Sequence, residues 1–141
     1  MYPQANIPVL QVSMPSSQGP SALVALGRKL APLAEEGVLV LGSGNIVHNL
    51  RRIDFSESTP PPTWAAEFDQ WAAERILAGD VDALANFKAL APAPTLAHPT
   101  PDHYLPLLVV AGLAAERGLA PSFPLDGFEY GSISRRSVRF G

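Results

Sequence analysis

The 141-residue chain has no cysteine. That absence excludes disulfides, thiolate metal sites and a cysteine nucleophile together, and it fits a reducing compartment. Charge is also scarce: charged residues make up 16% of the chain and the formal net charge is −3. No basic field therefore advertises a nucleic-acid partner or an anionic membrane surface. No apolar run reaches membrane-spanning length, and the longest, from Leu105 to Ala115, is interrupted by Pro106 and Gly112. The opening Met1-Tyr2-Pro3-Gln4-Ala5-Asn6 has neither the basic nor the apolar region of a signal peptide. The expectation is a cytoplasmic protein with no nucleic-acid or membrane partner. What the chain does have is apolar content, 47%, and fifteen prolines. The first supports a packed core in a single domain over residues 1–141. The second marks ordered loops, around 59–62, 92–101 and 121–124, of the kind that carry function when a rigid scaffold holds them.

Along the chain, residues 7–13 (IPVLQVS) read as a short buried strand. Residues 14–18 form a polar loop. Gly19 then Pro20 starts a helix, proline being favoured at the first helical position. Leu23, Leu26, Leu30 and Leu33 give that helix an apolar face, Pro32 breaks its last turn and Gly37 ends it. Val38-Leu39-Val40-Leu41 has the continuous apolar character of a strand covered on both faces. A helical turn or two follows over 46–53. Thr63 caps a helix running to about Ala78, with Trp64, Phe68, Trp71 and Arg75 on one stripe and Gly79 as its stop. Asp80 caps a shorter helix to about Phe87. Residues 91–100 form a proline-rich loop, a further helix runs from near Asp102 to Arg117, and Gly118 stops it. The tail from 128 to 140 supplies one or two strands. Alternating strands and helices predict an α/β layered domain with a central mixed or mostly parallel sheet flanked by helices.

The three histidines carry the chemical interest. His48 follows an apolar run and the turn Gly42-Ser43-Gly44-Asn45, a position at which open α/β sheets place ligands; the alternative is a histidine that only caps or packs. His98 and His103 sit in His98-Pro99-Thr100-Pro101-Asp102-His103-Tyr104-Leu105-Pro106. The prolines stiffen this segment, and Asp102 can orient a histidine. Their spacing of five is not a helical ligand pair, so it leaves open which of the two meets a metal and which a substrate. Gly42-Ser43-Gly44 also suggests a dinucleotide-binding oxidoreductase. The fingerprint is incomplete, however: its last glycine is Val47 here, and Glu67 only loosely fits the acidic ribose partner. No G-x-S-x-G is present, which disfavours a serine hydrolase.

Four blocks occur in order. They are Tyr2-Pro3-Gln4-Ala5-Asn6-Ile7-Pro8-Val9-Leu10-Gln11-Val12-Ser13; Leu26-Gly27-Arg28-Lys29-Leu30-Ala31-Pro32-Leu33, running on through Glu36-Gly37 and the glycine turn to His48-Asn49-Leu50-Arg51; the His98 to Leu107 segment; and Tyr130-Gly131-Ser132-Ile133-Ser134. Together they resemble the class III extradiol ring-cleavage dioxygenases, LigB-like and of the 4,5-DOPA dioxygenase type, over the C-terminal half of that family's domain. The resemblance implies metal-dependent insertion of O2 into a DOPA-like catechol to give a muconic semialdehyde. It implies His48 and His98 as catalytic residues, His103 and His48 as metal ligands, and Ser43, Asn45 and Tyr104 at the substrate. The implied metal is Fe(II), with Zn(II) in isolated protein. Two further histidine ligands belong to the part of the family's domain that precedes the matched blocks. The resemblance therefore also implies a homo-oligomer or an N-terminal partner. The alternative is a truncated, non-catalytic member that folds and oligomerises or complements the other half. Asp102 and Glu129 remain as spare carboxylates that nothing marks.

Overall fold

The computed structural model describes residues 3–15, 17–56 and 60–141. Met1, Tyr2, Ser16 of the expected polar loop and Thr59 of the first proline cluster lie outside the described residues.

The helices follow local signals. Helix α1 spans Pro20–Leu30, with Gly19 as an extended N-cap and Pro20 in the first turn. Pro32 then tightens the chain into a 3-10 turn over Ala31–Glu36, which Gly37 closes in the left-handed region. Helix α2 spans Thr63–Leu77. Its N-cap is Pro62 rather than the expected Thr63, which lies one residue inside and makes no side-chain capping bond. Its buried stripe is Ala65, Phe68, Ala72 and Ile76, so Trp64 and Trp71 lie at the margin of the core instead of at its centre. Asp80 caps α3 (Val81–Ala85) as expected, accepting a 3.0 Å hydrogen bond from the Ala83 amide. Two four-residue helices follow: α4 (Phe87–Leu90), and α5 (Pro94–Ala97) inside the expected proline loop. Helix α6 (Leu105–Arg117) is preceded by a 3-10 turn over Pro101–His103 and stopped by Gly118 at φ 63°.

Helices α1 and α6 form the principal helix pair. They cross with backbones in contact: a Cβ on Gly27 would run into the Val109 carbonyl, and one on Gly112 into the Val24 carbonyl. Glycine is the only residue that allows such an approach. The core joins Leu23 and Val24 of α1, Phe68 and Ile76 of α2, Leu84 of α3, Phe87 of α4 and Leu108 and Ala111 of α6.

The β structure departs from expectation. The tail forms four short strands, β1 (Pro121–Leu125), β2 (Phe128–Glu129), β3 (Ile133–Ser134) and β4 (Ser137–Phe140). They make two antiparallel pairs, β1 with β4 and β2 with β3. β1 is a strand the sequence reading missed. The expected central mixed or mostly parallel sheet is not formed among the described residues. Residues 7–13 and 38–41, its expected contributors, form no strand and pair with no neighbour among the described residues. Their apolar side chains face outward: Val9 is 88% exposed, Leu10 90% and Leu39 71%. A strand needs a neighbour to satisfy its backbone groups, and among the described residues no backbone hydrogen bond reaches 7–13 or 39–44. No helix of the described residues is long and apolar enough to cross a membrane.

Candidate functional site

Residues 42–49 leave the unpaired run at 38–41 and lie against the start of α6. A Cβ on Gly44 would strike the His103 carbonyl, and one on Gly42 would come within 2.9 Å of the Pro106 carbonyl. The Asn45 amide donates to the His103 carbonyl at 2.9 Å. The glycines thus serve close packing of the loop on the helix start, which removes the main reason for reading them as a nucleotide cradle.

Beyond the glycines the loop is tied down residue by residue. The Asn45 amide side chain donates to the Ser134 carbonyl (3.0 Å). The Ser134 amide donates to the Val47 carbonyl (3.1 Å), and the His48 amide to the Ala97 carbonyl (3.0 Å). Asn49 Nδ2 donates to the Leu96 carbonyl (2.8 Å), while Ser132 Oγ donates to the Asn49 carbonyl (3.3 Å). The result is one fixed, half-buried imidazole. The His48 ring stacks on that of His103, with centroids 3.6 Å apart and planes 21° apart. His103 comes from the 3-10 turn that Pro101 starts, and its Nε2 lies 3.4 Å from Asp102 Oδ2. Desolvation holds the His48 pKa below its ordinary value. The neighbouring His103 adds to this, and Asp102 opposes it. Asp102 is itself held below the usual carboxylate range, chiefly by a side-chain hydrogen bond from Thr100.

The other expected residues go elsewhere. His98 is buried and stands behind the loop, boxed by Phe68, Tyr104 and Phe87 at centroid distances of 5.4, 5.3 and 6.3 Å. Its Nε2 lies 2.6 Å from the Ile46 carbonyl. A carbonyl only accepts, so Nε2 carries the proton and Nδ1 is left as a buried acceptor without a partner. Burial lowers the His98 pKa to about 4, against the opposing pull of the Ile46 carbonyl. Tyr104 is fully buried, its hydroxyl donating to the Leu84 carbonyl at 3.1 Å, and burial raises its phenol pKa. Ser43 is exposed beside the glycines, and the Asn45 side chain is spent on Ser134. Glu129 is exposed in β2. The structure thus brings His48, His103 and Asp102 together. It sets His98 and Tyr104 into the core behind them.

The sequence reading also missed a buried polar group behind the loop. Asp69 of α2, 3% exposed, accepts from Ser134 Oγ at 2.6 Å through Oδ1. Through Oδ2 it accepts from Arg136 Nε and Nη2 at 2.9 and 2.6 Å. The Arg136 guanidinium lies 4.8 Å from the centroid of the Phe123 ring. The quoted motif ending in Ser134 was the only signal that could have led to it.

These residues do not by themselves make a metal site. Among the described residues no group of three or more histidine or carboxylate side chains is arranged to hold a metal ion. The two stacked rings are also nearly parallel. An imidazole binds in its own plane at about 2.1 Å, so one ion shared by both rings needs planes opened well beyond the 21° seen here.

Comparison with known proteins adds the following. The family model described as "Catalytic LigB subunit of aromatic ring-opening dioxygenase" matches residues 1–141. The chain is 41% identical over 145 residues to the 4,5-DOPA dioxygenase extradiol of Escherichia coli (strain K12), covering 100% of the chain and 52% of that protein. It is 40% identical to the protein of the same name from Beta vulgaris, over 99% of the chain and 52% of the relative. The crystal structure of an uncharacterized protein from Escherichia coli K12 superposes with a TM-score of 0.91 at 37% identity, covering 100% of this chain and 58% of that one. The chain spans about half the length of the curated relatives it matches.

Proposed function

The chain belongs to the family of the catalytic LigB subunit of aromatic ring-opening dioxygenase, and from that premise we propose that it forms half of an extradiol dioxygenase site acting on a DOPA-like catechol with O2. The single observation that supports this reading most is the half-buried His48–His103 pair, fixed beside Asp102 on a loop tied down from several sides. His48 has the properties of a general base. Its lowered pKa keeps the ring neutral at neutral pH, so it can accept a phenolic proton and later return it. Asp102 is placed to orient His103 as a ligand. The proposed metal is Fe(II), with Zn(II) as its substitute in isolated protein. With His48 kept as the base, His103 alone is too little to hold either, so the remaining ligands must come from outside these residues. They are then supplied by the other half of the family's domain or by a second copy of this chain. The unpaired apolar segments 7–13 and 38–41 are where that half or copy would complete a mixed or mostly parallel sheet. A cytoplasmic setting is consistent with the absence of cysteine.

In this reading His98 contributes through the backbone of Ile46. Ser43, exposed at the loop, is the substrate-facing candidate that remains. Asn45 and Tyr104 support the site from behind.

A second reading, a non-catalytic member that folds and pairs with the other half of the family's domain, draws on the same shortage of donors. One variant separates them. With the complementing half and Fe(II) present, His48→Ala is expected to lower catechol turnover by at least about a hundredfold, the usual scale of a lost general base. Turnover unchanged in that variant removes His48 from its role. No turnover in the parent assembly favours the non-catalytic reading.

A further inference from the structure

We infer that Asp69, gripped by Arg136, is a positioning residue for His48, acting through Ser134. The argument starts from Ser134. Its carbonyl takes the Asn45 side chain and its amide holds the carbonyl of Val47, so one residue brackets Ile46 and grips the residue immediately before His48. Ser134 is in turn held by its hydroxyl, which donates to Asp69 Oδ1 at 2.6 Å. The Arg136 backbone amide donates back to that hydroxyl oxygen at 3.2 Å, while its guanidinium takes the second Asp69 oxygen in a fork. The Phe123 face against the guanidinium limits its movement. The network is closed: both carboxylate oxygens are bonded, Asp69 is buried and Arg136 is largely so (side chains 5% and 13% exposed).

A buried ion pair is a poor means to stability alone, since apolar residues of similar size often do as well. What it supplies is fixed direction. Here the fixed object is the β3 backbone, on which the His48 loop hangs. Helix α2 thereby sets the position of the His48 ring through β3. The relevance to ring opening rests on the function proposed above, but the geometric claim does not.

The test reads the histidine stack directly. In proton NMR of the full chain, rings stacked at 3.6 Å displace each other's imidazole protons upfield. Asp69→Ala is expected to abolish that displacement for His48 and His103 while the helical circular dichroism persists. A group that serves stability alone would lower the melting temperature and leave the histidine signals in place, and that result overturns the proposal. If Asp69→Ala does not fold, Ser134→Ala decides, because it cuts one hydrogen bond and leaves the ion pair. A reduced displacement is expected there, and an unchanged one again overturns the proposal. In the assembly completed with the other half, Asp69→Asn is expected to lower kcat several-fold with KM unchanged. Failure of the parent assembly to turn over counts against the proposed function and leaves the NMR result standing.

Discussion

Residues 38–41 and 121–125 reverse the order that residue preference gives them. The first, Val-Leu-Val-Leu, is the better strand sequence, yet it is unpaired and exposed. The second, Pro121–Leu125, carries two prolines and is a strand, because Ser137–Phe140 lies alongside it in antiparallel register. Proline is tolerated there because a two-stranded sheet consists only of edges. What differs is the neighbour, not the segment. The same contrast divides the candidate site. The side of the His48 loop that faces α5, α6 and β3 is fastened by hydrogen bonds, whereas the side that continues from 38–41 is open.

If the packed side carries the stability, the largest loss should come from its aromatic box. Phe68 is fully buried against Phe87, His98 and Tyr104, so Phe68→Ala should cost about 3–5 kcal/mol in urea unfolding. Next comes acid. The His98 pKa is depressed in the folded chain, so the unfolded chain binds the extra proton first. Stability is therefore full above about pH 6.5 and falls as the pH drops towards about 4, by roughly 3 kcal/mol for this group. His98→Gln should flatten most of that slope in unfolding curves taken across the window. Gly44→Ala sharpens the boundary between the two sides. Its Cβ would meet the His103 carbonyl, and a cost of about 1–3 kcal/mol is expected from such overpacking. An unchanged midpoint would mean the loop is looser there than described. The smallest effect belongs to the open side: Leu39→Lys, at a residue 71% exposed, should stay within about 0.5 kcal/mol in the chain alone. The same variant should block assembly with the complementing half, measured by co-elution.

The physics of range explains what could be read from the sequence. Gly19-Pro20, Asp80 and Gly118 act within a turn of themselves, and the helix ends they announce are found where expected. The α2 stripe was misread by one residue in register, because Trp64 and Trp71 outweighed the small Ala65 and Ala72 that α2 actually buries. Strands depend on chain far away in sequence, so 7–13 and 38–41 have strand composition but no partner among the described residues, whereas β1 has a partner without the composition. The His48–His103 pair was legible through the family blocks. The Asp69–Arg136 contact, spanning 67 positions, left no mark in local pattern, and the burial of His98 and Tyr104 depends on α2 and α4, which their own segment does not reveal.

The measurement closest to the central claim, a half-built metal site open on one side, is an anaerobic Fe(II) titration. It is run on the chain alone and on the chain mixed with the other half of the family's domain, each then exposed to oxygen with a catechol. The account predicts no stoichiometric Fe(II) and no product for the chain alone, and one equivalent of Fe(II) with the yellow ring-opened product for the assembly. Stoichiometric binding and turnover by the monomeric chain alone would contradict it.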